Sequence, residues 1–150
     1  MLESAVPNIT SINTSSNISN ISKMYKNCDS LGSINGMVLH GNITNYSEFI
    51  SGCDNLVYAN DVEIGGSFYN DIFRGLTKLR EVNNLLISFV GRSMTFAHMF
   101  EGCSSLTEVI VPEGLVTLPV FAFQGCTYLQ NVSLPSTLET IGEAAFQGCN

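Results

Sequence analysis

The chain has 150 residues, 45% hydrophobic and only 13% charged, with a net charge of −7. That composition can supply the core of one domain, whereas six basic residues fall short of the cationic footprint that nucleic acid or an anionic membrane surface requires. No stretch approaches the ~18 consecutive apolar residues of a membrane-spanning helix, and Met1 to Pro7 lacks the basic region and apolar run of a secretory signal.

In chain order, Leu2 to Pro7 reads as a shortened strand. Asn8 to Ser22 contains only Asn, Ile, Thr and Ser, with Ile9, Ile12, Ile18 and Ile21 at regular intervals. Composition of this kind suggests disorder, but the spaced isoleucines favour an irregular entry coil. Residues 1–24 are therefore expected to form an N-terminal entry or capping segment, and residues 25–150 the main body.

From Tyr25 onward a repeat sets the architecture. Its markers are Cys28, Cys53, Leu76, Cys103, Cys126 and Cys149, spaced 25, 23, 27, 23 and 23 residues apart. Three residues before each marker stands Tyr25, Ile50, Phe73, Phe100, Phe123 or Phe146. Gly52, Gly75, Gly102, Gly125 and Gly148 immediately precede their markers, with Asn27 as the exception. Leu31, Leu56, Leu79, Leu106 and Leu129 follow by three, and Ile34, Ala59, Val82, Val109 and Val132 by six. A unit this short cannot bury its anchors alone, so successive units must stack and place equivalent residues in columns. Burying each Phe, Leu or Val contributes about 1.5–3 kcal/mol.

Strands are expected near Leu31–Asn35 in unit one and Leu56–Asn60 in unit two. Unit three adds the apolar run Leu85 to Val90, read as a second strand. Unit four covers Arg92–Gly114 and unit five Leu115–Ser136, each strand closed by a proline (Pro112, Pro135) that cannot donate to a ladder. Thr137 to Asn150 forms an incomplete last unit, so the expectation is a longer chain or a partner that covers that end.

The cysteines are periodic, odd in number and replaceable by Leu76, which fits a buried apolar column better than disulfides. No Cys-x-x-Cys pair exists, and His40 and His98 show no ligand spacing, so no metal and no cofactor are expected. A Cys103–His98 nucleophile pair is disfavoured, because a thiol in a buried column is inert. Ile64-Gly65-Gly66-Ser67 lacks the spacing of a phosphate loop. The sequence reads as non-enzymatic.

Two segments carry a resemblance. Ala145-Phe146-Gln147-Gly148-Cys149 and Leu129 to Pro135 resemble the unit Ala-Phe-x-Gly-Cys-x-x-Leu-x-x-Ile-x-Leu-Pro of BspA-like leucine-rich repeats, and Leu138 to Gly142 is similar to that family's other half-unit. The resemblance implies a mostly β leucine-rich-repeat solenoid with short helical turns and one parallel strand per coil of ~23–25 residues. It also implies adhesion or recognition at a cell surface or outside the cell.

Strand alternation sends Val132 and Leu134 inward, and Asn131 and Ser133 outward. The same register gives one outward column of Ser33, Tyr58, Glu81, Glu108 and Asn131, and a second of Asn35, Asn60, Asn83, Ile110 and Ser133. These ten residues form the candidate interaction face, with Tyr58 and Ile110 as anchors. The simpler alternative is solvated strand residues, with the three asparagines as a supporting amide ladder. The partner expected there is a protein or a glycan, with self-association or a partner chain at the C-terminal end. The rival reading is a structural subunit of a larger assembly, such as a phage head or tail accessory protein.

Overall fold

The computed structural model describes residues 8–9, 18–39, 43–66, 69–89 and 97–150; the strand expected at Leu2–Pro7 lies outside them. Eleven short strands alternate with turns: β1 Asn8–Ile9, β2 Ser33–Asn35, β3 Val38–Leu39, β4 Tyr58–Asn60, β5 Glu63–Gly66, β6 Glu81–Asn83, β7 Leu86–Phe89, β8 Glu108–Ile110, β9 Thr117–Leu118, β10 Asn131–Ser133 and β11 Thr140–Ile141. They build a parallel solenoid. The main sheet runs β1-β2-β4-β6-β8-β10, every neighbour parallel and in the register of the repeat.

Coils one to five each carry two strands rather than the single one expected. A second parallel sheet, β3-β5-β7, covers the next side of the first three coils, and β9 pairs with β11 in the later ones. The strand read into Leu85–Val90 is β7.

Where short helical turns were expected, the described residues hold hydrogen-bonded turns and no helix. Two left-handed residues limit each turn. The position five before the marker has φ of 53–61° throughout: Lys23, Glu48, Asp71, His98, Phe121 and Ala144. The position just before the marker is left-handed as well. That is the reason for its glycines, and Asn27 stands in at φ 60° because asparagine tolerates this region. Between the two, alternate amides donate to the next coil, as in Phe100 N to Ala122 O at 2.9 Å and Gly102 N to Gln124 O at 2.7 Å. The turn side is thus a third ladder between coils.

The core is made of the repeat's columns. Leu31, Leu56, Leu79, Leu106 and Leu129 are buried, as are Ile34, Ala59, Val82 and Val109. Phe73, Phe100, Phe123 and Phe146 stack face to face, with centroids 5.1, 5.3 and 5.4 Å apart and planes within 10°. Tyr46 and Tyr69 form a second stack at 5.7 Å, and the buried Tyr46 hydroxyl donates to Leu39 O at 3.1 Å.

All five cysteines are free thiols. Cys53, Cys103, Cys126 and Cys149 each donate S–H to a carbonyl of an earlier coil: Tyr25, Phe73, Phe100 and Phe123, at 2.9–3.2 Å. Leu76 fills the same buried column without that donor.

The coils are of two kinds. In the first three, the residue eight past the marker (Gly36, Asp61, Asn84) is left-handed. The chain turns there at once, and the second strand starts ten past the marker. In coils four and five that position is Val111 or Leu134, a proline follows, and β9 and β11 start fourteen past the marker. The ladder registers the change. Gly36 N and Asp61 N bond to Asn60 O and Asn83 O, and Val111 N to Ser133 O, but among the described residues Asn84 N makes no such bond to Ile110.

Candidate interaction face

The outward side of the main sheet is built by strand alternation. In each triplet the middle residue is buried, or half-buried for Val132, and the flanking two point away from the core. Register pairs Ser33 with Tyr58, Tyr58 with Glu81, Glu81 with Glu108 and Glu108 with Asn131. Asn35 pairs with Asn60, Asn60 with Asn83, and Ile110 with Ser133. The fold therefore sets all ten residues side by side on one bare parallel face.

Their chemistry divides. Asn60 Nδ2 donates to Asn35 Oδ1 at 3.1 Å, and Asn83 Nδ2 to Asn60 Oδ1 at 3.0 Å. The asparagines satisfy one another as an amide ladder. A second rung runs from Asn84 Nδ2 to Asp61 Oδ1 at 2.7 Å. Tyr58 is 40% exposed and Ile110 62%, so the ladder is flanked by one aromatic and one aliphatic contact group. Glu81 and Glu108 are direct strand neighbours, and like charges so placed repel. Among the described residues neither forms an ion pair, so the centre of the face is anionic.

The opposing charges lie on the turn side. There Glu48 meets Lys23 and Lys26; the hydrogen bond from Lys26 is the main cause that holds its carboxyl below the usual range. Arg74 bridges Asp71 and Glu101, each at 3.2 Å. His98 bonds Glu101 through Nδ1 and stacks on Phe121 at 4.9 Å. It does not pair with Cys103, whose thiol donates to Phe73 O. Burial pushes Cys53 up to about 11 and Cys126 up to about 12, so these thiols stay protonated. Among the described residues no group of His, Cys, Asp or Glu could hold a metal ion, and no helix is long and apolar enough to cross a membrane.

One residue departs from its expected burial. Alternation directs Leu134 inward with Val132, yet it is 42% exposed while its counterpart Val111 is buried. Val111 is covered by the next coil; β10 is the last strand of the sheet. Leu134 instead lines a groove of about 540 Å³ with Leu86, Ile110 and Val111. Sequence reasoning missed this groove. Its only signal was Pro112 and Pro135, present in the later coils and absent from the earlier ones.

Residues 94–150 match the family model described as a BspA type leucine rich repeat region (6 copies). The whole chain is similar to a leucine-rich repeat protein from Bacteroides ovatus, at 26% identity and a TM-score of 0.71, over 94% of this chain and 35% of that one. It is also similar in fold to the T. pallidum leucine rich repeat protein, at 19% identity and a TM-score of 0.52, over 93% of this chain and 76% of that one. The chain thus spans about a third of the B. ovatus protein. No curated protein matches it.

Proposed function

We propose that this leucine-rich-repeat solenoid, BspA-type over residues 94–150, is a non-enzymatic interaction module that binds a protein or glycan through the outward face of its main sheet. Ser33, Tyr58, Glu81, Glu108 and Asn131 form one contact column; Asn35, Asn60, Asn83, Ile110 and Ser133 form the other. One observation carries this reading: a parallel sheet left bare on one face, bearing an exposed Tyr58 and Ile110 around the adjacent carboxylates of Glu81 and Glu108. Parallel sheets are ordinarily covered on both faces. Large side chains on such a strip are the usual anchors of recognition. Adhesion or recognition at a cell surface follows from the same reading, since BspA-type repeat proteins are often surface-associated.

The rival is a structural subunit of a larger assembly, such as a virion. It is favoured by large apolar side chains exposed along the solenoid, Val116 at 48% and Tyr128 at 66%, a surface suited to self-association or a partner chain.

Binding of the labelled chain to protein and glycan arrays tests the first reading. Tyr58→Ala and Glu108→Lys are each expected to weaken the strongest binding at least tenfold, and Lys78→Ala, outside the two columns, to leave it unchanged. Absence of binding on both arrays, or binding indifferent to Tyr58 and Glu108, overturns it. A stable oligomer in light scattering that Tyr128→Asp dissolves supports the assembly subunit instead.

A further inference from the structure

The strand face by itself leaves the class of partner open, and the junction of the two coil types narrows it. Between coils three and four the second sheet stops. β7 is the edge of β3-β5-β7, because β9 begins four residues too late in its coil to pair with it. The groove opens at this break. Leu86 is 58% exposed, Ile110 62% and Leu134 42%, around a floor of Leu85, Ile87 and Val111. Glu113 brings a carboxylate to its rim, where it accepts from Ser136 N at 3.1 Å and Ser136 Oγ at 3.0 Å, and among the described residues no Lys, Arg or His lines the groove. Ile110 and Ser133 belong both to the groove and to the strand face, so the two surfaces are continuous.

From this arrangement, and resting on the proposal that the solenoid is a binding module, we infer that the groove receives an extended segment of a partner protein, which adds to the β7 edge and carries an aliphatic residue flanked by Lys or Arg. Three features select a peptide over a glycan. The β7 edge, unpaired among the described residues, offers main-chain hydrogen bonds in register with a guest strand. The wall groups are aliphatic, and among the described residues of the lining there is no aromatic platform for a sugar ring. The Glu113 carboxylate at the rim keeps its charge while accepting from Ser136, and on a chain of net charge −7 it favours a cationic guest in both approach and placement.

Panning a phage-displayed library of random twelve-residue peptides on the folded chain tests this. Enriched sequences are expected to combine Val, Ile or Leu with Lys or Arg. Ile110→Asp and Leu86→Ser should each lower their affinity at least tenfold while circular dichroism stays unchanged. Glu113→Gln should weaken lysine-bearing peptides severalfold but not their glutamine analogues. Lys78→Ala, outside both the groove and the two strand columns, should leave peptide binding intact. Four outcomes overturn the inference: no enrichment over the Ile110→Asp chain, enrichment of acidic sequences, glycan binding abolished by Leu86→Ser, or a dimer of the chain itself that Leu86→Ser dissolves.

Discussion

A thiol does at the marker position what a leucine cannot. It fills a small buried site and returns a hydrogen bond to a carbonyl of an earlier coil, as Cys126 does to Phe100 O at 3.1 Å. Leu76 shows that volume alone is tolerated, and this substitution is what identified the column as buried in the sequence. The hydrogen bond itself was not legible there, because its acceptor lies 26 residues away and its geometry exists only once the coils stack. The thiols give a pH prediction. In the unfolded chain a cysteine ionises near 9.0, and burial pushes folded Cys126 up to about 12. Below pH 9 both states keep the proton. Above it the unfolded chain loses its proton first, so stability declines between about pH 9 and 12, by up to about 1.4 kcal/mol per pH unit for one thiol. Urea titrations across that range should show the decline, and Cys126→Ala should make it shallower. At pH 7 the same variant should lose about 1–2 kcal/mol from the vacated volume and the lost hydrogen bond.

At the scale of the element, the phenylalanine stack couples the coils. Phe100 is sandwiched between Phe73 and Phe123 and is buried, whereas Phe146 meets a ring on one side only and is half-buried. Phe100→Ala should cost about 3–5 kcal/mol and Phe146→Ala about 1–2 kcal/mol, measured by denaturant unfolding. Equal losses would mean that the stack does not act as a column. The column, the strands and their register were legible because one residue spacing determines all three. The second sheet was legible only at Leu85–Val90, where three apolar residues in a row betray β7. β3, β5, β9 and β11 are too short or too polar to announce themselves, and β5 contains two glycines. For the candidate face, alternation gave the direction of each side chain, and the asparagine bonds then followed from matched register. Burial is a separate matter from direction: it depends on whether a neighbouring coil lies over the residue, as at Val111 and not at Leu134, which no local pattern encodes.

The whole molecule behaves as a linear stack in which each coil is stabilised by its neighbours. The core residues of coils two and three, such as Phe49, Leu56, Ile64, Phe73 and Leu79, are wholly inaccessible, whereas Val132 in coil five is only partly buried. Amide hydrogen exchange should therefore be slowest in β4 to β6 and faster by an order of magnitude or more in β10 and β11. Uniform protection would indicate a single cooperative unit. The same one-dimensional order gives the change of coil type a further meaning. Coils four and five lie 23 residues apart with identical strand offsets, so duplicating residues 103–125 would lengthen the rod while preserving every contact between like neighbours. An identical duplication placed on the other side of the junction would meet a coil whose second strand begins elsewhere. The seam after β7 thus divides the rod into two portions, each of which accepts only coils of its own kind.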